Sequence, residues 1–496
     1  MRGPISLALA GTAASALQIP LLPNTLSWFG RHAASDSVSR PVVETEALQA
    51  SIDIKHLQRR AEKLYEIAES SLPEMNHPTR VIGSKGHLGT IAYIKSVLAG
   101  LGDYYTVSEQ IFPAVSGRVY EHRLVIGDHV PPSTAFGLTP PTKGKQPVYG
   151  DLVLVRGLGC DPSDYPKNSA GNVVVVRRGE CPFGTKSELA GRAGASAAVV
   201  VSDEDGELHG TLGQPSPHHV ATFGLSKGDG NKYIEALERG DKLDAIAYMD
   251  AEVTTTRTPN IIAVTRDGDA DNCLALGGHS DSVAEGPGIN DDGSGSLSVL
   301  EVAVQLAKFK VKNRVIFAWS NYFVDHLKAE ENQKIRLFLD YDMMASPNFA
   351  YQIYNATNAE NPAGSEELRD LYIGWYKSHG LNYTLIPFDG RSDYDGFIRH
   401  GIPAGGIATG AEGQKTPKEE TMFGGKAGDW YDPNYHQIGD NLSNLNLTAW
   451  EVNTKLIAHS VATYASSFEG FPKRTSEFRT EAYASKVKYR GHKLFM

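Results

Sequence analysis

The stretch LALGGHSDSVAEGPGINDDGSGSLSVLEVAVQL, residues 274–306, changes character twice within a short span. It opens on an apolar run of strand type, passes through a loop rich in Gly and Asp, and closes on apolar residues spaced by three and four, as in a helix. Strand, tight loop and helix make up the repeating unit of a parallel α/β sheet. Such sheets bind ligands in the crevice outside the carboxyl ends of their strands, which is where this loop would lie. His279 stands at the end of the strand, Asp281 follows two residues on, and Asp291 and Asp292 come just before a helix expected to start near Gly295.

The same alternation continues on both sides. NIIAVT, CLALGG, SLSVLEVAVQLAKF, RVIFAW, KIRLFLD and LRDLYIGWYKSH alternate strand and helix after Arg257, which predicts an α/β domain with a mainly parallel central sheet flanked by helices. Residues 44–101 carry helical spacing, and the strand-like YYTVSEQIF follows. Between 131 and 251 the pattern shifts to short β runs broken by Gly and Pro (DLVLV, NVVVVRRG, SAAVVVSD, VATFGL) with one helix candidate, SELAGRAGA. This predicts a β-rich module, 131–251, inserted into a larger domain made of 44–130 and 252–470.

At 496 residues the chain is too long for one ordinary core, in keeping with two domains. Its formal charge of −10 argues against nucleic acid or an anionic membrane as the main partner, because both need clustered cations. The one basic cluster, Lys473, Arg474, Arg479, Lys486, Lys488, Arg490 and Lys493, lies in the tail 471–496 and is expected to be solvated. Arg2, an apolar stretch from Ile5 and the small residues Ala14 and Ala16 flanking Ser15 predict a signal peptide over 1–16, hence secretion. Residues 17–43 have no sustained period and suit a pro-segment. No apolar run of about twenty residues predicts a membrane span.

Sequons at Asn355, Asn382, Asn441 and Asn446 fit a secreted, extracellular glycoprotein. Three cysteines allow one internal disulfide. Cys160 and Cys181, in polar loops, are the expected pair, and Cys273 is expected to be a buried thiol.

Two further residues extend the candidate site. Asp342 follows the strand in LFLDYDMMASPN, and His436 lies in the loop YDPNYHQIGD. An Asp beside a helix start is ordinarily only a cap. Two His and two Asp that one sheet edge can bring together are instead the donor set of a hydrolytic zinc site, which binds through imidazole and carboxylate and keeps a position open for water. A carboxylate shared by two ions would hold them about 3.5–4 Å apart. Asp281 is placed to accept the second ring N–H of His279 and fix its tautomer.

GGHSDSVAEGPGINDDGSGS, DYDMMASPN and DPNYHQ resemble the secreted di-zinc aminopeptidases of peptidase family M28, fungal leucine aminopeptidase 2 type. GNVVVVRRGECPFGTKSELAGRAGASAAVVV resembles a protease-associated (PA) domain. The resemblance runs from about Glu44 to Glu469. It implies a zinc exopeptidase fold, peptide substrates with leucine-like apolar N-termini and two zinc ions; a monomer is the simplest expectation. It places His279 and Asp342 on one zinc, His436 on the other and Asp291 between them, with Tyr435 donating to the oxyanion. The segment 391–397, RSDYDGF, resembles the lining of the substrate pocket.

The resemblance also exposes a gap. The family carries a Glu-Glu pair in the loop after the strand that here reads VIFAW, the first Glu acting as general base and the second as a zinc ligand. Here Trp319 is followed at once by Ser320 and Asn321, about ten residues short of the family pattern. Glu330 and Glu331 lie about 15 Å further along the expected helix YFVDHLKAEE, as a solvated helix end. Asp325, in the same helix, would have to replace both acids at once. The expectation is a chain that keeps one zinc and lacks its base. Every other site residue is present, a pattern closer to one lost or misjoined coding block than to scattered decay. Asn434 and Gly439 also stand where relatives often carry cysteines. The alternatives are an inactive peptide-binding homologue and a carboxypeptidase of the same superfamily, although too little chain follows Glu469 for the latter's usual dimerisation domain.

Overall fold

The computed structural model describes residues 40–474 apart from 204, 214, 319, 320, 389 and 391, together with the side chain of Asn321. The expected signal peptide, most of the pro-segment, most of the basic tail and the Trp319–Ser320 junction therefore lie outside the described residues.

At the centre, the strand Asp269–Gly277 pairs in parallel with Asn313–Ala318 on one side and Ile335–Tyr341 on the other, and Ala404–Ala408 continues the parallel run beyond Ile335–Tyr341. The last five residues of Asp269–Gly277 are buried, so both faces of the strand are covered, as expected for a parallel sheet between helices. The edges add antiparallel pairs, with Gln352–Tyr354 against Ala404–Ala408 and Asp244–Thr265 against Asn313–Ala318. The fold class is the one expected, an α/β sheet with a mainly parallel core.

The helix Gly293–Leu306 is buried along almost its whole length, which is why its sequence reads apolar with small residues rather than amphipathic. Asp292 caps it, accepting from the Gly295 N–H at 2.9 Å. The C-terminal helix Leu447–Ser466 packs against it, and Trp450 Nε1 donates to Ser294 O at 2.9 Å. Among the described residues no helix is long and apolar enough to cross a membrane.

The strand-like YYTVSEQIF is the start of a much longer strand. Tyr105–Ile126 pairs antiparallel with Asp244–Thr265 along nearly its full length, with an irregularity between Val119 and Glu121. This ribbon runs from the main sheet to the inserted module. There Val148–Leu154, Val173–Arg177, Ala197–Val201 and Ala221–Leu225 form four parallel strands, flanked by Phe183–Arg192 and Lys227–Glu238. Cys160 and Cys181 form a disulfide in this module, and Cys273 is a buried free thiol, both as expected.

One helix differs from expectation. YFVDHLKAEE is broken into Asn321–Asp325 and Ala329–Lys334. Glu330 and Glu331 therefore open a helix instead of ending one, and Glu331 accepts from the Lys328 N–H at 3.0 Å. Acidic side chains suit a helix N-terminus, where the partial charge is positive.

Candidate metal centre

Register across the central strands brings the site together. Gly277 aligns with Asp340 of one neighbour, and Leu276 aligns with Phe317 of the other, so the chain leaves all three strands at one level. His279, Asp342 and the end of the strand Asn313–Ala318 therefore meet at the carboxyl edge. Ligand atoms of His279, Asp291 and Asp342 lie within 4.8 Å of one another, the only such metal-ligating group of three among the described residues.

Asp291 is the pivot. Its Oδ1 lies 3.2 Å from His279 Nε2 and its Oδ2 lies 2.9 Å from His436 Nε2. One carboxylate thus faces two imidazoles through different oxygens, the arrangement of a bridging ligand. The Asp291–Asp292 peptide is cis. Asp342 Oδ1 is buried without a hydrogen-bond partner and lies 4.0 Å from His279 Nε2, whereas its Oδ2 accepts from Ser392 at 3.3 Å. A buried acceptor left unpaired beside an imidazole and a second carboxylate fits a cation, so the residues present suit zinc.

Asp281 lies on the other side of the ring, with Oδ1 3.3 Å from His279 Nδ1 in an ion-pair approach without hydrogen-bond alignment. Tyr435 stacks on His436 with ring centroids 3.8 Å apart and, with it, lines a cavity of about 530 Å³. The cavity also exposes His279, Asp281 and Asp291, and the inserted module contributes Glu207 and His209 to its lining. The described residues of 391–397 do not line it. Ser392 instead holds Asp342, and the following helix Tyr394–Arg399 is buried through Ile398.

The acids expected as possible substitutes for the Glu-Glu pair lie elsewhere. Asp325 faces His400 at 3.6 Å, and Glu330 is exposed. Asn434 and Gly439 are in contact, and a Cβ on Gly439 would fall 2.1 Å from Asn434 Oδ1.

Three further residues support the site, and two of them, Asp440 and Asp432, carry no local sequence signal. Asp440 accepts the N–H groups of Asn290 (2.8 Å) and Asp291 (3.0 Å). Asp432 accepts from the side chains of Asn290 (2.7 Å) and Asn444 (2.9 and 3.0 Å), tying the His436 loop to the Asp291 loop. Asp292 accepts from the His279 N–H at 3.2 Å and the Met343 N–H at 3.1 Å, joining two strand ends in addition to its cap.

Charge in the cluster is poised for a cation. Burial works against the His279 imidazolium, but Asp281 and Asp291 outweigh it and hold its pKa well above the ordinary value. Burial likewise opposes ionisation of Asp291, yet His279 and His436 bring its pKa below the usual carboxylate range. Asp342, buried and beside Asp291, is pushed up to about 7 despite His279. A cation binding here displaces the protons held by His279 and Asp342. Zinc affinity is therefore expected to rise at least about tenfold per pH unit between about pH 6 and 7, measured by chelator competition, and a flat profile would contradict this ligand set.

Fold and site together define an α/β metallopeptidase scaffold with an inserted module. The Peptidase family M28 model matches residues 260–461 and the PA domain model matches 148–233. Aminopeptidase Y of Saccharomyces cerevisiae is 49% identical, over 91% of this chain and 87% of that protein. Leucine aminopeptidase 2 of Trichophyton equinum is 41% identical, over 88% of this chain and 89% of that one. Among solved structures, the aminopeptidase from Aneurinibacillus sp. strain AM-1 superposes with a TM-score of 0.70 at 24% identity, over 88% of this chain and 98% of that chain. A zinc aminopeptidase from Bacillus subtilis gives 0.56 at 20% identity, over 85% and 97%; both of these likenesses bear on fold alone. The chain belongs to peptidase family M28.

Proposed function

We propose that this member of the family is a secreted, extracellular metallo-aminopeptidase built to release leucine-like residues from the free amino ends of peptides, acting as a monomer. In this reading one metal site is kept and the general base is lost. The observation that carries the reading is Asp291, which lines the cavity with one oxygen on His279 and the other on His436, while Asp342 completes the group of three with His279 and Asp291. The aminopeptidase names of the relatives favour the amino end of the substrate over the carboxyl end.

His279, Asp291 and Asp342 would hold the zinc, which supplies a polarised carbonyl and an acidified water. His436 would offer a single imidazole to a second ion, sharing Asp291. Among the described residues no further Asp, Glu, His or Cys completes a group of three there, so that position binds weakly. Asp281 orients His279, and Asp440 and Asp432 hold the two loops in register. Tyr435 is placed to donate to the oxygen that gains charge as the carbonyl becomes tetrahedral.

The test is polarity of attack. With leucine-terminated peptides, product analysis is expected to show slow shortening from the amino end and none after N-acetylation. Loss of carboxyl-terminal residues, or hydrolysis of acetylated peptides at the same rate, would refute the reading.

A further inference from the structure

Arg80 is fully buried, and among the described residues it has no carboxylate within ion-pair distance. Its guanidinium is occupied by backbone. Nε donates to Pro287 O at 2.8 Å, Nη1 donates to Ser280 O and Nη2 donates to Gly288 O. Its main chain is tied to the same segment, because the Arg80 N–H donates to Ser282 Oγ at 2.8 Å and the Ser282 N–H donates to Arg80 O at 3.3 Å. Thr79 Oγ1 adds a bond to Val283 O at 2.9 Å. All of these partners lie in the loop between His279 and Asp291.

A planar fork of donors can hold three carbonyls at fixed positions, which a flexible ammonium cannot do. The fit is tight: a Cβ on Gly288, whose φ is +60°, would fall 2.3 Å from Asp291 O and 3.0 Å from Arg80 Nη2. Burial lowers the Arg80 pKa, and the carboxylates that oppose this from longer range are Asp281, Asp440, Asp292 and Asp291. The cation therefore lies beneath the same acids that surround the metal centre.

We propose that Arg80 is a positioning residue for the metal centre: by clamping the carbonyls of 280, 287 and 288 it sets the spacing of His279 and Asp291 before any cation arrives. This rests on the metal reading above. Outer-shell partners of this kind carry about 10- to 100-fold in metal affinity.

The experiment compares wild type, Arg80→Lys, Arg80→Met and the control Arg60→Met, whose ion pair with buried Glu301 at 2.8 Å is outside this loop. The full chain is used, with zinc affinity read by chelator competition, Co²⁺ absorption and thermal melting. Both Arg80 variants are expected to bind zinc at least about tenfold more weakly and to shift the Co²⁺ bands. Arg60→Met should lose melting temperature yet keep wild-type affinity. Affinity within twofold of wild type in both Arg80 variants overturns the proposal, and so does full rescue by Lys, which would mean that charge alone matters. If neither Arg80 variant folds, Arg80→Gln decides, because its amide keeps only two of the donors: weaker binding supports the clamp, and unchanged binding overturns it. A wild-type chain that binds no zinc defeats the metal reading and this inference together, whereas equal binding by wild type and Arg80 variants defeats this inference alone.

Discussion

Inserting a ten-residue segment with the family's Glu-Glu pair between Trp319 and Ser320 is expected to raise turnover of leucyl-p-nitroanilide by about 10²–10⁴, the range contributed by a well-placed general base. The strand Asn313–Ala318 is the parallel neighbour of Asp269–Gly277, and its carboxyl end is level with the strand end that delivers His279. A side chain carried by the loop leaving Ala318 would reach the cavity edge that His279 and Asp291 face. The nearby acids cannot take over this task, because Asp325 faces His400 and Glu331 caps its own helix. The same insertion would give the His436 side a further carboxylate and raise the zinc count. A measured rate unchanged by the insertion, in a chain that folds and binds zinc, would contradict the assignment of the missing base to this junction.

Asp291→Asn is expected to weaken zinc binding by at least about 100-fold, the upper end of what outer-shell partners contribute and a floor for a direct ligand. The amide keeps one acceptor oxygen but loses the second, so the shared contact to His279 and His436 cannot persist. The backbone link of this residue to Asp440 is kept, so the loop should hold its place. Metal-free stability carries a second signature. Asp291 titrates below its ordinary 3.8, so its contribution is present above that pH and is lost as pH falls through the lower folded value. Wild type should therefore exceed the variant in metal-free melting temperature near neutrality, with the gap closing below about pH 4. Equal melting at neutral pH would contradict a charged Asp291 held between two imidazoles.

The contacts just described were legible to different degrees from the residues. His279, Asp291 and Asp342 could be found because each follows a strand or precedes a helix, where an α/β sheet collects its ligands. His436 and Tyr435 needed the resemblance, since a loop bounded by Gly and Pro has no period to place it. Arg80, Asp432 and Asp440 were not legible: each acts on a backbone or side chain far away in sequence, and a lone Arg or Asp in a loop looks solvated. The ribbon of Tyr105–Ile126 and Asp244–Thr265 was visible only at its ends, because many of its residues are partly exposed whichever way they point, and no clean alternation results. The break between Asn321–Asp325 and Ala329–Lys334 was hidden for a related reason. The residues on either side keep helical composition, and the turn is made by contacts such as the Lys328–Glu331 cap.

The central claim is the proposed centre that holds one metal where the family resemblance implies two. Metal analysis of the purified chain after exhaustive dialysis, paired with leucyl-p-nitroanilide turnover, tests it most directly. One zinc per chain, with turnover about 10²–10⁴ below that of the chain with the Glu-Glu loop inserted, is the predicted result. Two tightly held zincs with undiminished turnover would contradict it.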